Sequence, residues 1–348
     1  MSGNQYSAPA ATRIGEQLGE ILAHAIPVEV LGITGKQHQM KRNMGQTVIY
    51  RRFLPYGGSL GTAASINTIS VDPNLHLTQE GVTPNPDSLL AQDISVTIQQ
   101  YSCLYMYTDK TKLLHEDDIP QEQITQVGER MGLLREMIRY GTLKGCTNKF
   151  YAGGSSRSTV AEGLSVPLLR NITRSLLGNR GKMITRILSA SPLYNTSPVE
   201  ASFLVFCHTD CENDIRELPG FIHRANYGSQ KVMHEMEIGS VDRYRFIVSP
   251  ELAPILDAGA TAAGTGLVTS STLVDVYPVV VVAGDAWGDV ALRGASSFDI
   301  SHQPVGTKDK SDPLGQRGYT GAIFWSACFI QNDGWMAVAE VGVTDLNP

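Results

Sequence analysis

Apolar and polar positions alternate most clearly in the first third of the chain. The run TVIYRRFL (Thr47–Leu54) is rich in branched and aromatic residues, which favours a β-strand. Within Asp93–Thr108 the apolar residues first recur at every second position, as in a strand with one covered face: Ile94, Val96 and Ile98. Between these runs lie residues 55–92, 38 residues with four glycines and four prolines. Loops longer than about 12–15 residues are commonly functional, so we predict a long projecting hairpin at residues 46–108.

The clearest helical pattern follows this hairpin. Asp118 suits the N-cap, Pro120 suits the first turn, and Gly145 suits the end. Between them apolar residues recur every three or four positions: Ile124, Val127, Met131, Leu134 and Ile138. Three glycines interrupt the pattern, at 128, 132 and 141, and each weakens a helix by about 1 kcal/mol relative to alanine. We therefore expect another backbone to pack closely against this helix.

Two further segments have helical spacing. Thr12–Ala25 places Ile14, Leu18 and Ile21 on one face, and Pro27 ends it, so the N-terminus is predicted to be an arm that carries a small helix. The second segment is Val166–Leu177. It follows the stretch AGGSSRS (Ala152–Ser158), a candidate domain boundary.

The second half of the chain mixes predicted strands with one short helix. The helix is expected at Thr209–Leu218, and a loop of small residues at Asp257–Thr272. Strands are predicted at Phe203–His208, Arg243–Ser249 and Tyr277–Gly284. Near the end, Asn332-Asp333-Gly334 separates the apolar runs Phe324–Gln331 and Trp335–Gly342, which predicts a β-hairpin.

Composition narrows the class of protein. Of 348 residues, 42% are hydrophobic and 18% charged, enough for two modest cores. The net charge of −6 disfavours a dedicated nucleic-acid binder. No secretory signal or membrane-length apolar run is visible, and the longest strongly apolar stretch is Val279–Ala283. Five scattered cysteines favour a reducing compartment over a disulfide framework.

One motif suggests catalysis. Gly57-Gly58-Ser59-Leu60-Gly61 matches the G-x-S-x-G pattern of a serine hydrolase. That chemistry needs a buried strand before the serine and a helix after it. Here Arg51, Arg52 and Pro55 precede the serine, and no helical pattern follows. A flexible loop tip explains the motif better, and Ser59 stays an alternative to test.

Other chemical patterns are weaker. Cys207, His208, Cys211 and His223 lack the paired short spacings of a zinc site, so we expect cysteines that fill a core. Gly259–Gly266 lacks the Lys-Ser/Thr ending of a phosphate-binding loop, and Asp117-Asp118 suits a helix start. We therefore predict no catalytic residue, cofactor or metal. A loose basic cluster could be a solvated face, or contact an acidic neighbour or packaged nucleic acid: Arg170, Arg174, Arg180, Lys182 and Arg186.

The order of these elements resembles the α+β, HK97-like fold of tailed-phage capsid proteins. Four segments resemble in particular the N4-like group of major capsid proteins: Glu80–Pro84, Phe206–His223, Glu237–Leu252, and Ser311–Trp325 followed by Asn332–Met336. The resemblance covers about residues 45–343.

The resemblance implies a division of the chain. Residues 1–45 would be an N-terminal arm, 46–108 the extended loop that lies over an adjacent subunit, and 109–158 the peripheral domain with its spine helix. Residues 159–310 would be the axial domain, and 311–348 would return to the peripheral domain. Along the loop we expect these intersubunit contacts: Arg51, Arg52, Tyr56, Leu60, Glu80 and Pro84.

The resemblance also implies a structural function. Such proteins form hexamers and pentamers of an icosahedral shell, the virion capsid, around double-stranded DNA bound without sequence specificity. They assemble in the bacterial host cytoplasm, with a portal, and a scaffolding or decoration protein as further partners, and without a membrane. An encapsulin-like nanocompartment shell is the alternative with the same fold.

Overall fold

The computed structural model describes residues 26–78, 80–81, 83, 87–115, 118–188, 196–228, 232–262, 264–293, 299–308 and 310–346, without the side chains of 186–188 and 196–199. The predicted helix Thr12–Ala25 lies outside these residues. The helices within them are α1 (Ala63–Ile66), α2 (Asp109–Leu114), α3 (Ile119–Leu143), α4 (Val166–Gly178) and α5 (Glu212–Arg216). The predictions of the long helix and of the helix at Val166–Leu177 are thereby confirmed.

Fifteen strands lie within the described residues. The first eight are β1 (Lys36–Met40), β2 (Thr47–Phe53), β3 (Ala91–Thr97), β4 (Gln99–Thr108), β5 (Lys149–Tyr151), β6 (Ile184–Leu188), β7 (Thr196–Cys207) and β8 (Ile222–His223). The others are β9 (Glu237–Val241), β10 (Tyr244–Val248), β11 (Tyr277–Val282), β12 (Trp287–Leu292), β13 (Asp299–Gln303), β14 (Arg317–Ile330) and β15 (Met336–Val341).

The first sheet is built around the long strand β14. Strands β12, β13 and β4 all pair antiparallel with it, and β1 pairs parallel with β12. Helix α3 packs on this sheet through Val127 and Met131, which are 0% exposed and contact Ala322 and Phe324. Burying side chains of this size stabilises a fold by about 1.5–3 kcal/mol each, so α3 is firmly attached to the sheet.

The second sheet has eight strands in the described part, in the order β5-β15-β11-β7-β10-β9-β8, with β6 also on β7. Its central strands β10, β11 and β15 are buried along their whole length. Continuous apolar runs such as YPVVVV are typical of strands covered on both faces. Helix α4 covers one face with Leu169, Ile172 and Leu176, while the N-terminal residues Val30 and Leu31 cover the other.

The chain before β2 belongs to the body of the molecule from about Val28 onward. Glu136 of α3 accepts hydrogen bonds from the backbone N–H groups of Val30 and Leu31 at 2.8 and 2.7 Å. The Trp287 ring N–H donates to Thr34, and β1 joins the first sheet. Residues 28–40, within the segment expected to be an N-terminal arm, are therefore packed on the body or paired in a sheet.

The predicted return strand Asp93–Thr108 is two strands. Residues up to Thr97 form β3 and pair with β2, whereas β4 pairs with β14 over ten residues. Ile98 lies between them, 3% exposed, and its backbone N–H donates to Gln46. Strand β14 offers β4 more backbone hydrogen-bond partners than the seven-residue β2 could. The chain therefore leaves the β2–β3 pair after Thr97 and joins the first sheet as β4.

The predicted C-terminal hairpin is wrong. Strand β14 lies in the first sheet and β15 in the second, and the turn Asp333–Trp335 between them is a 3-10 turn. A two-residue hairpin of the Asp-Gly type needs positive φ at both central residues, and neither Asp333 nor Gly334 has it. Because every residue of β15 is buried, it takes a central place between β11 and β5.

Each of the two sheets takes strands from several of the segments into which the resemblance divides the chain. Strands β12 and β13 fall within residues 159–310 but pair in the first sheet. Strands β5 and β15, assigned to the peripheral domain, pair in the second sheet. The chain therefore crosses between the two sheets more often than a division into consecutive segments allows.

Within the described residues, no backbone from another segment packs closely against the glycines of α3, so the expectation of such packing is wrong. At Gly132 an added Cβ would meet the side chain of Glu29, so a neighbouring segment does approach there. At Gly128 and Gly141 an added Cβ would meet nothing within 4 Å in the described structure. Asp118 stands at the N-cap of α3 but makes no side-chain capping bond.

Candidate assembly surface

Strands β2 and β3 form a ribbon of their own that lies against the first sheet. They pair antiparallel from Thr47 with Thr97 to Phe53 with Ala91. On the inner face, Tyr50 stacks on Phe329 with ring centroids 5.1 Å apart, and Val96 is 6% exposed. On the outer face, Ile49 and Phe53 are each 63% exposed. The alternation in the sequence therefore gives the ribbon one anchored face and one free face.

Arg52 attaches the end of the ribbon to its own subunit. Its guanidinium donates to the Gln331 carbonyl at 3.0 Å and to the Gln92 side chain. Burial lowers the pKa of Arg52, as expected for a cation taken from water. Within its own chain both terminal nitrogens of the Arg52 guanidinium are hydrogen-bonded, while its Nε is buried without a partner, and the predicted contact of Arg52 with a neighbouring subunit stays a prediction.

A buried pair of amides fastens the loop beyond the ribbon. Asn67 donates to Asn332 at 3.0 Å, and Asn332 donates back to Asn67 at 2.7 Å. The two residues are 9% and 3% exposed. Arg180, just after α4, donates to the backbone carbonyl of Asn67 at 2.9 Å. We call Asn67, Arg180 and Asn332 the loop anchor.

Local sequence shapes the segment that carries Asn67. Thr62 caps α1 by accepting the Ser65 backbone N–H, which starts the single turn that ends at Ile66. Gly57 has φ of +86°, and an added Cβ would lie 2.6 Å from the Ser70 backbone nitrogen. Only glycine fits that close crossing of the two chain segments. The Gly-rich motif therefore serves a tight turn, which brings residues 54–70 back onto the body.

The described residues of the rest of the loop are all exposed. We call residues 71–90 the distal loop; among its described residues Leu75, Leu77 and Leu89 are 82%, 75% and 82% exposed. Just before it, Tyr56 and Leu60 are 68% and 59% exposed. Single exposed apolar residues are ordinary, but a concentration of them marks a surface that binds another protein.

The predicted contact residues fall into different environments. Tyr56 and Leu60 are exposed as described, and so is Glu80 in the distal loop. Arg51 lies on the outer face of the ribbon, where it pairs with Asp93 at 2.8 Å. Pro84 lies outside the described residues. Tyr56, Leu60 and Glu80 are thus exposed on the loop, while Arg51 is paired with Asp93 and Arg52 points inward.

Ser59 lacks the setting of a catalytic nucleophile. It is exposed, and its backbone N–H donates to the Ser65 carbonyl. The strand before it, β2, belongs to the two-stranded ribbon instead of a buried sheet, and the helix after it has four residues. A nucleophile elbow needs a serine held above a buried sheet, and this geometry does not provide it.

The cysteines named as zinc candidates fill the core beneath the second sheet. Cys207 and Cys211 are 0% and 1% exposed, and the Cys207 contact together with burial raises the pKa of the Cys211 thiol well above its ordinary value. A protonated thiol is a poor metal ligand. Among the described residues no group of three or more His, Cys, Asp or Glu side chains could hold a metal ion.

The basic cluster is divided among several roles. Arg180 belongs to the loop anchor, and Arg170 on α4 pairs with Asp242 at 3.4 Å. Arg174 and Lys182 are exposed. The side chain of Arg186 lies outside the described residues. The cluster is therefore partly a structural clamp and partly an exposed cationic surface.

Sequence reasoning missed the loop anchor. Asn332 was assigned to a hairpin turn, Arg180 to a basic cluster, and Asn67 was not singled out. The only local hint in the sequence was the glycine of Asn332-Asp333-Gly334. In the structure Gly334 has no room for a Cβ beside Asn67 and Asn179, so the turn is closely packed there. That contact joins residues 265 positions apart, which no local pattern reveals.

Comparison with known proteins places this architecture. No protein-family model matches the chain. The major capsid protein of Pseudomonas phage KPP21 is 19% identical over 305 residues, which cover 82% of this chain and 76% of that protein. In the described residues no helix is long and apolar enough to cross a membrane.

Solved structures resemble the chain over nearly its whole length. The capsid of Ralstonia phage GP4 superposes with a TM-score of 0.66 at 12% identity, covering 100% of both chains. The capsid of cyanophage Pam1 superposes with a TM-score of 0.59 at 14% identity, covering 98% of this chain and 99% of that one. The chain therefore has the HK97-like fold of phage capsid proteins.

Proposed function

We propose that this chain is the major capsid protein of a phage, which assembles with copies of itself into an icosahedral shell. The observation that carries the proposal is the HK97-like fold with a ribbon anchored at one end and a distal loop exposed at the other. A loop with little core of its own costs about 1–2 kcal/mol per residue to order. Burial against a neighbouring copy would supply that free energy.

The remaining assignments follow from the same proposal. The distal loop lies over an adjacent subunit, the first sheet with α3 forms the peripheral domain, and most of the second sheet forms the axial domain around the hexamer or pentamer axis. The shell encloses double-stranded DNA without sequence specificity and assembles in the bacterial cytoplasm. A portal, and a scaffolding or decoration protein, are further partners. The role is structural, and the N4-like grouping stays a prediction.

The experiment that tests the proposal exchanges the distal loop and keeps the anchor. Residues 71–88 are replaced by a Gly/Ser linker of the same length, which keeps Asn67 bonded to Asn332 and β2 paired with β3. We expect the unaltered chain to form shells in electron microscopy. We expect the exchanged chain to fold with an unchanged denaturation midpoint and to sediment as small species near 37.7 kDa or its low multiples.

Two results would count against the proposal. Normal shells from the exchanged chain would remove the loop's role in assembly. A parent chain that stays monomeric at high concentration, with or without a co-expressed scaffolding protein, would refute the shell function itself.

The encapsulin-like alternative shares the fold, so the contents of the particles separate the two functions. Particles isolated from infected or lysogenic cells should hold genome-length DNA if the chain is a capsid protein. Enclosed enzymes without DNA would support a cellular compartment.

The hydrolase alternative is tested by Ser59→Ala. Since Ser59 is exposed and its hydroxyl is not needed for the α1 cap, we expect unaltered shells and no change in ester hydrolysis relative to the parent. An esterase activity in the parent that the substitution abolishes would establish the catalytic function instead.

A further inference from the structure

The distal loop has an unusual charge. No lysine or arginine occurs between Arg52 and Lys110, whereas the distal loop holds Asp72, Glu80 and Asp87. All three are exposed, and Asp72 also accepts the Asn74 backbone N–H at 2.9 Å. The distal loop is therefore an exposed segment that combines leucines with a purely negative set of formal charges.

A surface of opposite sign lies on the same chain. Arg170, Arg174 and Leu177 recur at i, i+4 and i+7 along α4, on the side away from its buried leucines and isoleucine. Arg243, in the turn between β9 and β10, borders the same groove as Arg170 and Leu177, while Arg174 borders the next depression along α4, beside Thr68 and Ile69. We call Arg170, Arg174, Leu177 and Arg243 the basic face. It contains one acid, Asp242, which pairs with Arg170.

The basic face borders a shallow, open groove. Arg170, Leu177 and Arg243 border a groove of about 560 Å³, with Thr173 and Asp242 also in its wall. Leu177 is 40% exposed, and the aliphatic stems of the arginines extend its apolar area. Leucines can pack there while carboxylates meet the guanidinium groups, which bind carboxylates through paired hydrogen bonds.

We propose that the distal loop of one copy docks on the basic face of the next copy. The inference rests on the proposed shell function and names the surface that receives the loop. Each chain carries one loop and one face, and two different patches that bind each other form a head-to-tail contact, which gives a ring when the rotation between successive copies closes. A second copy fits better than nucleic acid, because Leu177 and Asp242 suit a leucine-rich acidic segment better than a phosphate backbone.

Charge reversal in trans tests the docking. The loop variant carries Glu80→Lys and Asp87→Lys, and the face variant carries Arg174→Glu and Arg243→Glu. Asp72 and Arg170 are kept because both make hydrogen bonds within the chain. In each variant alone, like charges would meet, so we expect shell yield to fall at least tenfold with an unchanged denaturation midpoint.

Two restorations identify the contact as intermolecular. A single chain with all four substitutions keeps the parent's net charge and should form shells again. A mixture of the loop variant and the face variant should form rings with an even number of subunits, because complementary surfaces then alternate around the ring. Arg216→Glu, which removes an exposed arginine from α5, is the control for loss of positive charge and should leave shells intact.

The outcomes are decisive in each direction. If neither the four-fold variant nor the mixture assembles, or if Arg216→Glu is equally damaging, the docking is wrong although the parent still forms shells. If the four-fold variant recovers and the mixture does not, the contact lies within one chain and the proposal is overturned. A face variant that keeps its shells and loses only DNA retention assigns the face to nucleic acid. Failure of the parent to assemble bears on the shell function alone.

Discussion

At the scale of single residues, the loop anchor depends on two amide side chains that satisfy each other. Buried amides without a partner are costly, and each hydrogen bond contributes a net of about 0.5–1.5 kcal/mol. The Asn67 side-chain nitrogen lies 3.0 Å from the Asn332 side-chain oxygen, and the Asn332 nitrogen lies 2.7 Å from the Asn67 oxygen. The anchor can therefore hold residues 54–70 on the body before any neighbour is present.

A double-mutant cycle measures this pair. We expect Asn332→Ala and Asn67→Ala each to destabilise the chain by about 1–3 kcal/mol, because the first leaves the Asn67 amide oxygen, and the second the Asn332 amide nitrogen, buried without the partner it has in the pair. The double variant should lose less than the sum, with a coupling of about 1 kcal/mol in urea denaturation. Strictly additive losses would show that the two amides do not interact in solution.

The pair Arg157–Glu340 gives a prediction that depends on pH. Burial alone would raise the pKa of Glu340, but the guanidinium of Arg157 at 2.7 Å and Lys149 at 3.4 Å outweigh it, so the pKa is lowered. A carboxylate with a lowered pKa stabilises the fold above its unfolded value of 4.5, and that contribution is lost as the pH falls through the folded value.

We therefore expect Arg157→Ala to destabilise the chain most at pH 7. The loss should be about 1–2 kcal/mol, below that of a fully buried pair because Arg157 is 39% exposed and Lys149 remains. The penalty should shrink as the pH is lowered below 4.5. Denaturation at pH 7 and at pH 3.5 checks this, and a penalty independent of pH would contradict it.

At the scale of elements, the glycines of α3 separate intrinsic helix stability from packing. Gly128→Ala and Gly141→Ala add a methyl group into open space, so each should stabilise the helix by about 0.5–1 kcal/mol. Gly132→Ala is the matched control within the same helix, and it should gain less than the other two because its methyl group displaces the end of the Glu29 side chain, which pairs with Arg135. Thermal denaturation of the three variants gives the signs.

Assembly of the same variants adds a second measurement. A glycine variant that is more stable than the parent as a subunit but forms fewer shells would place that part of α3 against a neighbouring copy. Shells from all three variants would leave the glycines with no role in assembly.

The elements that sequence predicted well share one property. The long helix and the buried strand Tyr277–Val282 carry their pattern within a dozen residues, and local spacing is enough to find them. The elements predicted wrongly depended on distant partners. Strand β4 leaves the ribbon because β14, more than 200 residues later, offers its edge, and β15 leaves β14 because β11 and β5 enclose it.

The candidate site was predictable to the same degree. The projecting loop followed from its length and from the strands at its ends, both local properties. The loop anchor could not be predicted from the sequence. A buried amide has no distinctive spacing, and the partner of Asn67, Asn332, lies far along the chain between β14 and β15. The bond of Arg52 to the Gln331 carbonyl could not be predicted either, since a charged residue in an alternating strand gives no sign of a distant carbonyl partner.

At the scale of the whole molecule, α3 joins the two cores and the N-terminal segment. Its first half packs on the first sheet, and Tyr140 and Leu143 enter the core beneath the second sheet. Arg139 pairs with Asp289 at 2.6 Å, and Glu136 beside it holds the backbone of Val30 and Leu31. Helix α3 therefore contacts both sheets and the N-terminal segment at Val30 and Leu31. The loop anchor is a second contact, at the connection between the two sheets.

Truncation shows how much of the fold this entering segment supports. Residues 26–34 include Val30 and Leu31, both 0% exposed, and burying each contributes about 1.5–3 kcal/mol. Their removal would also leave Glu136 buried without its two backbone donors. We expect removal of residues 1–34 to cost at least about 4 kcal/mol more than removal of residues 1–25 in urea denaturation. Glu136→Ala in the full chain should reproduce part of that loss, and equal midpoints for the two truncations would show that the segment does not support the body.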